Sequence, residues 1–87
     1  MKTFDELYRE MQAKVAAADP HSSTAAAVAT GVHSVGKKVL EEAAEAWMAA
    51  QHEDRQRTAE EISQLLYWTL ALMLAADLSI EDVYREL

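Results

Sequence analysis

An all-α fold, an antiparallel helical bundle completed by homodimerisation, is predicted by three features of this sequence. Hydrophobic residues fill 51% of its 87 positions while Gly (2) and Pro (1) are scarce, a balance that favours helix over sheet. Apolar residues recur at helical spacing behind recognisable capping residues in several segments. One of these, from Leu65 to Leu74, is apolar on every side. A helix of that kind must be enclosed all round, and so short a chain has too few other helices to do it, which points to a second copy. One domain over residues 1–87 is expected.

The elements follow in order. Thr3 with Glu6 makes a capping box, and Phe4, Leu7, Tyr8, Met11 and Val15 follow at helical spacing, so a first helix is predicted from about Phe4 to Ala18. Asp19 and Pro20 end it. Ser23 or Thr24 can cap a short alanine-rich helical turn through Thr30, and the next helix is expected to start between Gly31 and Ser34. Along that helix Val32, Val35, Val39, Ala43, Ala46 and Ala50 form one stripe, widened on one side by Leu40 and Trp47. Lys38, Glu42 and Glu45 share the other flank, whereas Glu41 points away. The polar run QHEDRQRT predicts a reversal, with Asp54 or Thr58 starting the following helix. Ser79 with Asp82 caps a last short helix ending near Leu87 and docked by Ile80, Val83 and Tyr84.

Two acidic clusters stand out, EEAAE at Glu41 to Glu45 and EEISQ at Glu60 to Gln64. Folding the two helices back on each other makes these clusters face one another. Glu42 and Glu45 are three residues apart and project from neighbouring turns of one face, and Glu61 with Gln64 repeats that spacing. A hard cation such as Mg²⁺ takes oxygen ligands and keeps some water, so Glu42, Glu45 and Glu61, with the Gln64 carbonyl, are candidate metal ligands. The plainer reading is that these carboxylates are only solvated. Lys37 and Lys38 either meet substrate phosphates or pair with Glu41 and Glu42 one turn on.

Composition excludes several classes of function. The net charge of −7 lacks the basic footprint that nucleic-acid binding needs. A phosphorylated substrate is compatible with it if divalent cations stand between phosphates and carboxylates. Cysteine is absent, and His21, His33 and His52 show no metal-ligand spacing. No Ser or Thr has a candidate base beside it, so nucleophilic catalysis has no support. Trp47, Tyr67 and Trp68 read as core or interface. No signal segment is visible and the apolar run Leu65 to Ala76 is too short to span a bilayer, so no membrane association and a cytoplasmic location are expected.

The stretch KKVLEEAAEAWMAA followed by EEISQLLYW resembles the E-E-x-x-E and E-x-x-D signature of the α-helical, MazG-like nucleotide pyrophosphohydrolases. The opening FDELYREM, the segment SSTAAAVATGVHSVGKKVLEEAAE and the closing LSIEDVYREL are similar to the phosphoribosyl-ATP pyrophosphohydrolases within that group. The resemblance implies a Mg²⁺-dependent helical homodimer that hydrolyses phosphoribosyl-ATP to phosphoribosyl-AMP and pyrophosphate in histidine biosynthesis, with possible hand-over to the next enzyme of the pathway. It implies Glu42, Glu45 and Glu61 as metal-binding catalytic residues, and Glu41 as a supporting ligand or water-activating base. Lys38, Lys37 and Arg57 would hold the outer phosphates. The family's fourth acid falls on Gln64, leaving one negative charge fewer. Two alternatives stand beside this reading: a housekeeping pyrophosphohydrolase of deoxynucleoside triphosphates, and a non-catalytic helical interaction module.

Overall fold

The computed structural model describes residues 1–87 and contains five helices and no strand. They are α1 (Phe4–Ala17), α2 (Ser23–Ala29), α3 (Val32–His52), α4 (Arg55–Ala75) and α5 (Ile80–Tyr84). At about 1.5 Å per residue, a 21-residue helix such as α3 or α4 is ~31 Å long, so this pair sets the 39 Å long axis of the molecule. The two helices are joined only by Glu53 and Asp54 and pack antiparallel along their length.

Local chemistry accounts for most helix ends. The Thr3 hydroxyl accepts from the Glu6 N–H at 3.1 Å, completing the expected capping box. The helix stops at Ala17, one residue before the predicted end, because Ala18 takes a left-handed conformation (φ 49°) and donates its N–H to the Val15 carbonyl. Ser22, rather than Ser23 or Thr24, caps α2 and accepts from the Ala25 N–H at 3.1 Å. Thr24 is instead buried, its hydroxyl bonded to that of Tyr67 at 2.7 Å. Gly31 makes the turn into α3 with φ 98°, where a side chain would be strained. The Asp54 carboxylate caps α4 by accepting from the Arg57 N–H at 2.8 Å. Ser79 and Asp82 form the second capping box, holding the Asp82 carboxyl below its usual range through hydrogen bonds from Ser79. The last helix closes at Tyr84, short of Leu87, and the Tyr84 hydroxyl donates to the Asp5 carboxylate.

The core consists of Tyr8, Met11, Val28, Val35, Leu70, Ala71, Met73 and Ile80. It lies at one end of the α3/α4 hairpin, where α1, α2 and α5 gather around the start of α3 and the second half of α4. At the other end the two long helices have only each other. There α3 presents the buried alanines Ala46 and Ala49 to its neighbour, and small side chains let two backbones approach closely.

The buried face of α3 is rotated from the predicted stripe. Val35, Glu42, Ala46 and Ala49 are buried, while Val32, at one end of the expected stripe, and Ala50, at the other, are exposed. Apolar residues occupy several sides of α3, so the position of α4 decides which line faces inward. The consequence is twofold: Glu42 is drawn into the interface, and Leu40 (73% exposed) and Trp47 (68% exposed) are left on the outer surface.

Candidate active site

Close packing at the alanine-lined end brings the two acidic clusters together. Ligand oxygens of Glu42, Glu45 and Glu61 all lie within 4.8 Å of one another. Glu42 is buried at 8% exposure, Glu61 is partly buried, and Glu45 is on the open rim. Oxygens sharing one Mg²⁺ at ~2.1 Å stand at most about 4.2 Å apart, so roughly half an ångström of side-chain adjustment closes the set. Three carboxylates and no softer donor suit a hard divalent cation, and the residues fit such an ion.

Two basic side chains flank the cluster. The Lys38 ammonium is 3.3 Å from a Glu41 oxygen and 3.6 Å from Glu42, and it lies 5.3 Å from the centroid of the Trp68 ring. The hydrogen bond that Lys38 donates to Glu41, followed by the charges of Glu41 and Glu42, raises the Lys38 pKa against the opposing effect of desolvation. On the other side the Arg57 guanidinium donates to Glu61 at 2.7 Å and to Glu60 at 3.0 Å. Its pKa is also raised, first by the Glu60 hydrogen bond and then by the charge of Glu61. Both residues stay cationic, offsetting part of the repulsion among three converging carboxylates.

A divalent ion held at Glu61 would therefore have to compete with Arg57 for it. Arg57→Gln is expected to tighten Mn²⁺ binding roughly two- to fivefold, the scale of a half-exposed ion pair, in a titration followed by electron paramagnetic resonance. Weaker binding in the variant would contradict this competition.

Two grooves open beside the cluster. One, of about 460 Å³, is lined by Glu45, Met48, His52, Glu53, Arg57 and Glu61. The other, of about 400 Å³, includes Thr30, Ser34, Lys37, Lys38, Glu41 and Trp68 in its wall. Of the residues singled out from the sequence, Glu42, Glu45 and Glu61 converge, and Lys38 and Arg57 sit beside them. Glu41 is exposed and turned toward Lys38 and the second groove, which Lys37 also lines. Gln64 is exposed and lines neither groove. His52 was considered in the sequence only as a metal ligand, yet it lies in the wall of the first groove. Its place seven residues after Glu45, two turns along the same side of α3, was the signal for that.

The family model described as phosphoribosyl-ATP pyrophosphohydrolase matches residues 4–87. A protein of Salinibacter ruber named phosphoribosyl-ATP pyrophosphatase is 59% identical over 87 residues, covering 100% of both chains. With nearly its whole length matched in this way, the chain belongs to the phosphoribosyl-ATP pyrophosphohydrolase family.

Proposed function

We propose that this chain hydrolyses phosphoribosyl-ATP to phosphoribosyl-AMP and pyrophosphate, the second step of histidine biosynthesis, with Mg²⁺ held by Glu42, Glu45 and Glu61. The observation that carries the reading is the convergence of these three carboxylates within 4.8 Å across two helices. Family membership supports the substrate and the reaction. No helix is long and apolar enough to cross a membrane.

Bound there, Mg²⁺ would neutralise the triphosphate, polarise the phosphorus under attack and make water a better nucleophile. The side chains supply the rest. Water oxygen bonds to phosphorus at the α–β bridge, the bridging P–O bond breaks, and pyrophosphate departs with the bond's electron pair. The water proton passes to a carboxylate at the cluster's edge, for which Glu41 is the candidate, exposed and braced by Lys38. Lys38 and Arg57 are placed to hold outer phosphate oxygens, Arg57 by exchanging its contacts with Glu60 and Glu61 for the phosphate. Gln64, three residues beyond Glu61 on α4, offers a neutral carbonyl oxygen where a fourth acid would add charge.

The functional form is a homodimer. The exposed Leu40, Trp47 and Met48 on α3, with Ile62 and Leu66 on α4, offer apolar surface that a second copy would cover.

Incubating the purified chain with phosphoribosyl-ATP and Mg²⁺ is expected to release equal amounts of pyrophosphate and phosphoribosyl-AMP, and chelation with EDTA to stop the release. Absence of pyrophosphate, or faster cleavage of deoxynucleoside triphosphates in competition, overturns the reading.

A further inference from the structure

Resting on the reaction just proposed, we infer that the groove walled by Lys37, Ser34, Thr30 and Trp68 is the subsite for the terminal phosphate of the phosphoribosyl arm. The chain is acidic, and its basic side chains are mostly consumed internally. Among those lining five of the surface cavities, Lys2, Lys38, Arg57 and Arg85 each stand within ion-pair distance of a carboxylate. Lys37 has no such partner, and it opens into the groove next to the carboxylate cluster. The Ser34 hydroxyl in the same wall makes no hydrogen bond within the chain. An uncompensated ammonium and an unused hydroxyl one turn apart form a donor pair suited to a phosphate monoester.

The position relative to the metal ligands narrows which phosphate this is. At ~1.5 Å per residue along α3, Lys37 lies about 8 Å from Glu42 and about 12 Å from Glu45, and Ser34 about 12 Å and about 16 Å. A triphosphate chelated at the carboxylates ends well short of Ser34. A purine with a sugar on either side covers the gap, and the partly buried Trp68 indole lies in the same wall, offering an apolar edge between the two anionic ends. Substrate specificity follows from the same geometry. ATP reaches only the carboxylate end of the site, whereas phosphoribosyl-ATP fills both ends.

The test compares Lys37→Gln and Lys37→Arg with the unaltered protein. Loss of one charge-assisted hydrogen bond is expected to raise KM for phosphoribosyl-ATP about tenfold in Lys37→Gln, with kcat changed less than about twofold. The inhibition constant of ribose 5-phosphate rises in step, that of ATP does not move, and Lys37→Arg recovers most of the loss. An unchanged KM, or ATP inhibition weakened as much as that by ribose 5-phosphate, overturns the assignment. Calorimetric binding of ribose 5-phosphate to the unaltered and Lys37→Gln proteins needs no turnover. It therefore judges the subsite separately from the reaction, which fails on its own if the unaltered protein releases no pyrophosphate.

Discussion

Replacing Glu42 with glutamine is expected to lower kcat/KM for phosphoribosyl-ATP by about 10³-fold or more, equivalent to ~4 kcal/mol of transition-state stabilisation. The side chain keeps its size and loses its charge. It is the most buried of the three converging carboxylates, so water has little room to replace it as a ligand. Its loss also removes one of the two carboxylates that anchor Lys38. The fold should not suffer, because an amide is less costly than a carboxylate to keep at 8% exposure. Circular dichroism and the melting temperature are therefore expected to stay close to those of the unaltered chain, while saturable Mn²⁺ binding weakens at least tenfold, the lower end expected even for residues that only support a ligand. Activity above a tenth of the original would remove Glu42 from the reaction.

A second large effect is expected from Leu40→Glu combined with Trp47→Glu. These residues are seven apart, two turns along one side of α3, and both are mostly exposed in the single chain. Burial of each side chain is worth about 2 kcal/mol, and a two-fold pair would contain four of them, a gross contribution on the order of 8 kcal/mol. Sedimentation equilibrium is expected to find a dimer for the unaltered protein and a monomer for the double variant, with association weakened by about 10³-fold or more. An unaltered protein that sediments as a monomer at micromolar concentration would refute the pairing outright.

Features that depend on a few neighbouring residues were legible in the sequence. Both capping boxes form as expected, and Asp54, one of two candidates, caps α4. The acidic pairs were legible for the same reason, since three-residue spacing alone aligns Glu42 with Glu45. What the sequence left open was decided by distant partners. Ser22, Ser23 and Thr24 are three consecutive hydroxyl residues, and the bond from Thr24 to Tyr67, 43 positions away, accompanies the choice of Ser22 as the cap. The inward face of α3 was placed only in part, with Val35 and Ala46 of the expected stripe buried, because alanine and larger apolar residues surround much of the helix and periodicity weighs Ala49 no more than Leu40. Helix contact reverses that order, burying the alanine and exposing the leucine. The grooves involve residues from several turns or helices, so Trp68 acquired a place near the site only in three dimensions, whereas the place of His52 could have been read from its spacing to Glu45.

The alanine-lined end of the α3/α4 hairpin has a further consequence for the order in which backbone amides exchange with solvent. Few large side chains hold Ala43 to His52 against Arg55 to Leu65, so these amides should exchange by local opening well before those around Leu70 and Met73. Glu45 and Glu61 sit on opposite arms of that opening, and the ion proposed to be shared between them would act as a latch. Adding Mg²⁺ should therefore slow exchange there selectively, so that the catalyst is stiffest only when it is charged with metal.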